Sequence, residues 1–139
     1  MKNLYEIFDE FVKAPSRQEK IQVLRNNDNY ALQIVLRGTF DPAVQFTIEQ
    51  VPFYKPSDSP PGMGYSSIHQ ELGRIYLFEK NNPRVSPDLT DKRKEQILIQ
   101  ILENLEAREA EILMNMLKKK QKVPGLTEKL VKEAFPNLY

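Results

Sequence analysis

The chain has 139 residues, 40% hydrophobic and 28% charged, with a formal net charge of +1, a size and balance suited to one globular domain with its own core. It has no cysteine and a single histidine, which excludes disulfides, zinc–thiolate sites and cysteine nucleophiles and leaves little for a histidine metal site or a serine–histidine relay. No apolar run approaches the roughly 18 residues of a membrane span, and the acidic start MKNLYEIFDEF does not read as a secretory signal; the expectation is a cytoplasmic protein that needs no cofactor.

Leu4, Ile7, Phe8, Phe11 and Val12 fall at i, i+3, i+4, i+7 and i+8, one helical stripe that stops before Pro15. Ser16 can cap a second helix carrying Ile21, Val23 and Leu24, which the polar break Asn26-Asn27-Asp28 closes. Asn27 or Asp28 can cap a third, with Tyr30, Leu32, Ile34, Val35 and Leu36, up to Gly38. Asp41-Pro42 pairs a capping carboxylate with proline at the first helical position, and predicts a short helix through Val44, Phe46 and Ile48 to Pro52.

Residues 52–65, PFYKPSDSPPGMGY, hold four prolines and two glycines, so helix cannot pass through them. Ser66 or Ser67 then caps a helix carrying Ile68, Leu72, Ile75, Tyr76 and Phe78, and the linker NNPRVSPDLT leads to a cap at Thr90. From Asp91 to Lys120 the apolar residues keep helical register over a length that exceeds an ordinary globular helix, which predicts a break near Asn104. The last helix starts at Thr127, carries Leu130, Val131 and Phe135 on one face, and stops at Pro136. No segment alternates with period two. The chain therefore reads as a single all-α domain, 1–139, of about eight short helices, with a proline-rich loop at 52–65 and a basic helix–turn–helix segment at 112–139.

Most polar features have plain structural readings. Gly62-Met63-Gly64 is too short for a phosphate-cradling loop and reads as turn chemistry. His69 has no partner cluster, Met114 and Met116 read as packing residues, and Glu103, Glu106, Glu109 and Glu111 read as a solvated helix face. The C-terminus is different. Lys118–Tyr139 holds six lysines against two glutamates, following a stretch, 89–117, in which acids outnumber bases. Lysines at a helix end complement the negative end of its dipole, which accounts for Lys118, Lys119 and Lys120 but not for Lys122, Lys129 and Lys132 beyond the Pro124-Gly125 turn. Basic helix end, glycine turn and new helix N-terminus at Thr127 together form a plausible phosphate grip. On the residues alone, a solvated surface explains them about as well.

Two stretches, VLRNNDNYALQIVLRGTFDPAVQFTI (Val23–Ile48) and ILMNMLKKKQKVPGLTEKLVKEAFPNLY (Ile112–Tyr139), resemble the N-terminal DNA-binding domain of ATP-dependent DNA ligases from tailed phages. The family's Leu-x-x-Asn segment, Arg-x-Thr-Tyr type turn and Leu-Gln-Tyr correspond to Leu24–Asn27, then Arg37, Thr39 and Phe40, then Val44-Gln45-Phe46. Its closing Val-x-x-Gly turn, short helix and aromatic-Pro-x-Leu ending correspond to Val123 and Gly125, Thr127–Ala134 and Phe135-Pro136-Asn137-Leu138, while 53–95 matches only in helix content. The resemblance implies an all-α domain lying along the minor groove of nicked duplex and gripping phosphates on both sides of the break. One jaw would be Arg37, Gly38 and Thr39, and the other Lys118, Lys119, Lys120, Lys122, Gly125, Thr127 and Lys129.

No Lys-x-Asp-Gly adenylation motif occurs, so the resemblance implies no ligation chemistry, no catalytic residue and no small-molecule substrate for this chain. No segment offers a recognition helix rich in Arg, Asn and Gln, so binding without sequence preference is expected. The alternative expectation is an adaptor or inhibitor module that keeps the fold, loses the DNA grip, and binds a phage or host replication or transcription protein, with the exposed aromatic–proline loop 52–65 as its contact. The near-neutral total charge favours that alternative.

Overall fold

Helix starts in the structure coincide with side chains able to cap them. The computed structural model describes residues 2–48, 52–60 and 63–139. Helix α1, Leu4–Lys13, begins where Glu6 reaches back to the Asn3 amide. Ser16 caps α2, Arg17–Asn26, by accepting from the Glu19 amide, and Asn29, rather than Asn27 or Asp28, caps α3, Tyr30–Phe40. Ser67 caps α4, Ile68–Glu71, which continues as the 3-10 helix Leu72–Phe78. Thr90 caps α5, Asp91–Asn104, Glu106 caps α6, Ala107–Leu117, and Thr127 caps α7, Glu128–Ala134. In each case a side-chain oxygen takes an amide that the first turn leaves without a helical partner.

The expected break near Asn104 is present, with Leu105 extended between α5 and α6. α6 is the central element: it packs on α3, α5 and α1, while α1 packs on α2 and α2 on α7. One continuous core results, including Leu4, Phe11, Leu32, Leu36, Phe78, Leu98, Leu113 and Met116. The fold is all-α, and among the described residues there is no strand, only an isolated antiparallel bridge between Phe46 and Glu79.

That bridge replaces the helix expected from Asp41-Pro42. Asp41 does accept from the Ala43 amide, but the turn is not propagated. Instead the Thr47 amide donates to the Phe78 carbonyl at 2.7 Å, and the Lys80 amide donates to the Gln45 carbonyl at 2.8 Å. The β-branched Val44, Thr47 and Ile48 suit an extended segment better than a helix, and cross-chain pairing takes the amides a helix would need. The remainder of the expected helix, 49–51, lies outside the described residues.

Gly38 does not end α3, which runs two residues further. A Cβ there would lie 2.6 Å from the Met116 Sδ, so the glycine permits the close approach of α3 to α6. Gly64 acts similarly at the α5–α6 corner, where a Cβ would lie 2.6 Å from the Glu106 amide nitrogen and 2.8 Å from the Asn104 carbonyl oxygen. Its partner Gly62 in the Gly-Met-Gly motif lies outside the described residues.

Candidate nucleic-acid interface

Helix α6 ends in a Schellman turn: the Lys119 amide donates to the Met116 carbonyl, and the Lys120 amide to the Asn115 carbonyl. The left-handed position of such a turn usually belongs to glycine, yet here it is Lys119, at φ 63°. This backbone aims the Lys119 side chain across to α3. Its ammonium donates to the carbonyls of Gly38 at 2.6 Å, Asp41 at 2.8 Å and Val44 at 2.6 Å. All three ammonium protons are thereby used, two of them on the C-terminal end of α3 and the residue that caps it. Burial pulls the Lys119 ammonium below its ordinary value of 10.5, and the Asp41 carboxylate nearby opposes that shift.

The end of α3 and the end of α6 are therefore joined, and the groups that join them are taken up by internal hydrogen bonds. Lys119 is committed to backbone carbonyls. Thr39, only 2% exposed, donates to the Val35 carbonyl and accepts from Gln121 Nε2, which also donates to the Ile112 carbonyl. Gly38 is buried against Met116. These three expected contacts are corrected to structural roles: the clasp between α3 and the α6 end consumes them.

The other expected residues are exposed: Arg37, Lys118, Lys120, Lys122, Gly125, Thr127 and Lys129. Arg37 lies 3.6 Å from the buried Asp41, and its own side chain stays more than half exposed. Lys118, Lys120, Lys122 and Lys129 form no ion pair among the described residues. Gly125 adopts φ 84°, as its turn requires. Thr127 Oγ1 already accepts from the Leu130 amide, which removes one of the amides that an anion would have used at the start of α7.

Cations cap foreign helix ends elsewhere too. Lys20 donates to the Phe11 and Val12 carbonyls at the end of α1, and Arg25 donates to the Glu133 and Ala134 carbonyls at the end of α7. Basic residues that look like surplus surface charge thus close three helices.

The solvated acidic face is also corrected in part. Glu103 and Glu111 are exposed, but Glu106 and Glu109 are each only 2% exposed. Glu106 caps α6 with one oxygen, its other oxygen having no partner among the described residues, and Glu109 accepts from the Ile68 amide at 3.3 Å. Burial pushes the Glu109 carboxyl above its ordinary value, the Ile68 amide opposes this, and the Glu106 charge adds to it. Loop 52–65 is held against the same corner by the Lys55 amide on Glu103 and the Ser66 amide on the Asn104 carbonyl. Its Phe53, 93% exposed, Tyr65, 90% exposed, and Met63 point to solvent.

Sequence reading missed a cleft beside Arg37. It has a volume of about 400 Å³ and lies between α3, the bridge segment 43–46 and the chain from Leu72 to Arg84. Tyr30, Tyr76, Lys80 and Arg84 line it with Arg37, and the Arg84 guanidinium lies 4.3 Å from the centre of the Tyr76 ring. Only the bridge, which the Asp41-Pro42 signal concealed, puts 43–46 opposite 72–84. None of the described helices is long and apolar enough to cross a membrane. A family model described as a family of unknown function, DUF6433, matches residues 7–123. No curated protein matches the chain.

Proposed function

We propose that this chain, which belongs to the DUF6433 family of unknown function, is a non-catalytic protein that grips the phosphate backbone of double-stranded DNA without sequence preference, nicked duplex included. The observation that supports this reading is the Lys119 clasp. It ties the end of α3, where Arg37 precedes Gly38, to the end of α6, where the exposed Lys118, Lys120 and Lys122 follow one another. Two phosphate contacts held by one rigid connection fix the orientation of a duplex, which a flexible lysine tail does not. The grip is smaller than the resemblance to ligase DNA-binding domains implies. It consists of Arg37, Lys118, Lys120, Lys122 and Lys129, with Gly125 and Thr127 shaping the turn.

The test is an anisotropy titration of labelled intact and nicked duplexes across a range of salt. A phosphate grip loses affinity steadily with added salt, at about 0.9 logarithmic units per contact for each tenfold rise. Affinity indifferent to salt, or no binding at low salt, rejects the reading.

A second reading rests on a different observation. Phe53, Met63 and Tyr65 are large apolar side chains turned to solvent on a loop whose backbone is tied to the α5–α6 corner. Such a patch suits a protein partner, and the adaptor alternative uses it. Partners captured from lysate that survive nuclease treatment, and that a Phe53→Ser, Tyr65→Ser variant loses, would favour it.

A further inference from the structure

We propose that the cleft beside Arg37 binds one nucleoside monophosphate unit, either free or as the unpaired end residue of a strand. The cleft volume of about 400 Å³ falls within the range of small-ligand sites. Ile34, Val44, Phe46, Leu72, Ile75 and Met116 line it together with the cations Arg37, Lys80 and Arg84, against the single carboxylate of Glu79, and its lining is more polar than apolar. A cleft that mixes apolar walls, polar groups and three cations fits a flat group with hydrogen-bonding edges that carries an anion.

The aromatic residues narrow the class further. Arg84 stacked on Tyr76 forms a planar platform, and Tyr30, 68% exposed, stands at the same rim with its ring unburied. Nucleobases stack on tyrosine and guanidinium planes, and the attached phosphate then falls within reach of long cationic side chains at the edge. Glu79 is held by the Asn82 side-chain amide at 2.8 Å, which fixes an acceptor beside the platform for an exocyclic amino group. The Lys119 clasp also bears on this site, since it fastens the Gly38 and Val44 carbonyls, and both residues line the cleft.

The inference does not depend on duplex binding, and its test separates the two. Isotope-labelled protein is titrated with dAMP, with deoxyadenosine and with inorganic phosphate, followed by amide chemical shifts. The expected result is a saturable dAMP response centred on Tyr30, Arg37, Gln45 and Lys80 with a midpoint below about 1 mM, and weaker responses to either half of the ligand alone. Gly73 lines the cleft, and a Cβ there meets nothing within 4 Å. Gly73→Phe therefore places a ring at the lining of the cleft with room for its Cβ and should abolish the dAMP response, while Arg84→Ala should weaken it about tenfold. Duplexes with a one-nucleotide overhang, compared with blunt ones, identify the source: an overhang preference lost in Gly73→Phe assigns the site to a strand end, and equal affinity assigns it to free nucleotide. No saturable dAMP response, or one that persists in folded Gly73→Phe, overturns the proposal, whatever the duplex titration shows.

Discussion

The Lys119 ammonium sits 2.6 Å from the carbonyl oxygen of Gly38, a residue 81 positions earlier in the chain. This contact joins the end of α6 to the end of α3 and commits the Lys119 ammonium to backbone carbonyls, while its neighbours Lys118 and Lys120 stay exposed.

Lys119 should therefore behave as a structural residue and its neighbours as surface residues. Lys119→Met deprives three carbonyls of a charged donor and should destabilise the protein by roughly 3 kcal/mol. Lys120→Gln should change stability by no more than about 0.5 kcal/mol. Lys119→Gly loses the same hydrogen bonds but relieves a left-handed non-glycine backbone, and should be more stable than Lys119→Met by about 1 kcal/mol. Urea denaturation of the three variants gives the order; equal stabilities for Lys119→Met and Lys120→Gln contradict the clasp.

Glu109 should make stability fall with pH. Its folded carboxyl titrates above the ordinary value of 4.5, chiefly because of burial. Its stabilising contribution is thus complete below that value and is lost as pH rises through the higher folded value. Glu109→Gln removes the titration and can still accept from Ile68. Thermal unfolding at pH 4.5 and pH 7.5 should show the variant gaining on the parent at the higher pH. A difference that stays constant across that window disproves the linkage.

Gly64 should not tolerate a methyl group. The atoms its Cβ would meet, the Glu106 nitrogen and the Asn104 oxygen, are both backbone and cannot step aside cheaply. Gly64→Ala should cost about 1–3 kcal/mol and speed proteolytic cleavage within 52–60, as the loop loosens from the α5–α6 corner. Gly73→Ala, facing open space, should do neither.

Helix positions were largely readable because caps and apolar spacing are local signals. Ser16, Ser67, Thr90 and Thr127 all cap as expected, and α5 breaks where expected. Asp41-Pro42 misled because the same dipeptide opens a turn, and pairing with Phe78 and Lys80, decided far away in sequence, overrode it. The site was only half legible. Charge clustering picked out Lys118, Lys120, Lys122 and Lys129, which are exposed, along with Lys119, which is not, but which lysines serve the fold depends on where foreign helix ends lie. Burial of Glu106 and Glu109 arises from packing of Gly64 and Ile68 against the corner, which helical spacing does not encode.

Arg37 should contribute to binding and little to folding. Its pairing with the buried Asp41 is long, 3.6 Å, and leaves the Arg37 side chain more than half exposed, so it is worth no more than about 1 kcal/mol. Arg37→Ala should leave the circular dichroism spectrum and melting behaviour near those of the parent, and lower the salt slope for duplex DNA by about one unit. Unchanged affinity and slope would remove Arg37 from the grip.

The most direct test of the DNA grip compares the salt dependence of duplex binding for the parent and for Lys118→Gln, Lys120→Gln, Lys122→Gln combined. The expected result is a folded variant that binds more weakly on every duplex sequence, with a salt slope lower by up to about three units. A folded triple variant that matches the parent in affinity and slope contradicts the DNA-grip reading and leaves the exposed loop at Phe53 and Tyr65 as the surface to pursue.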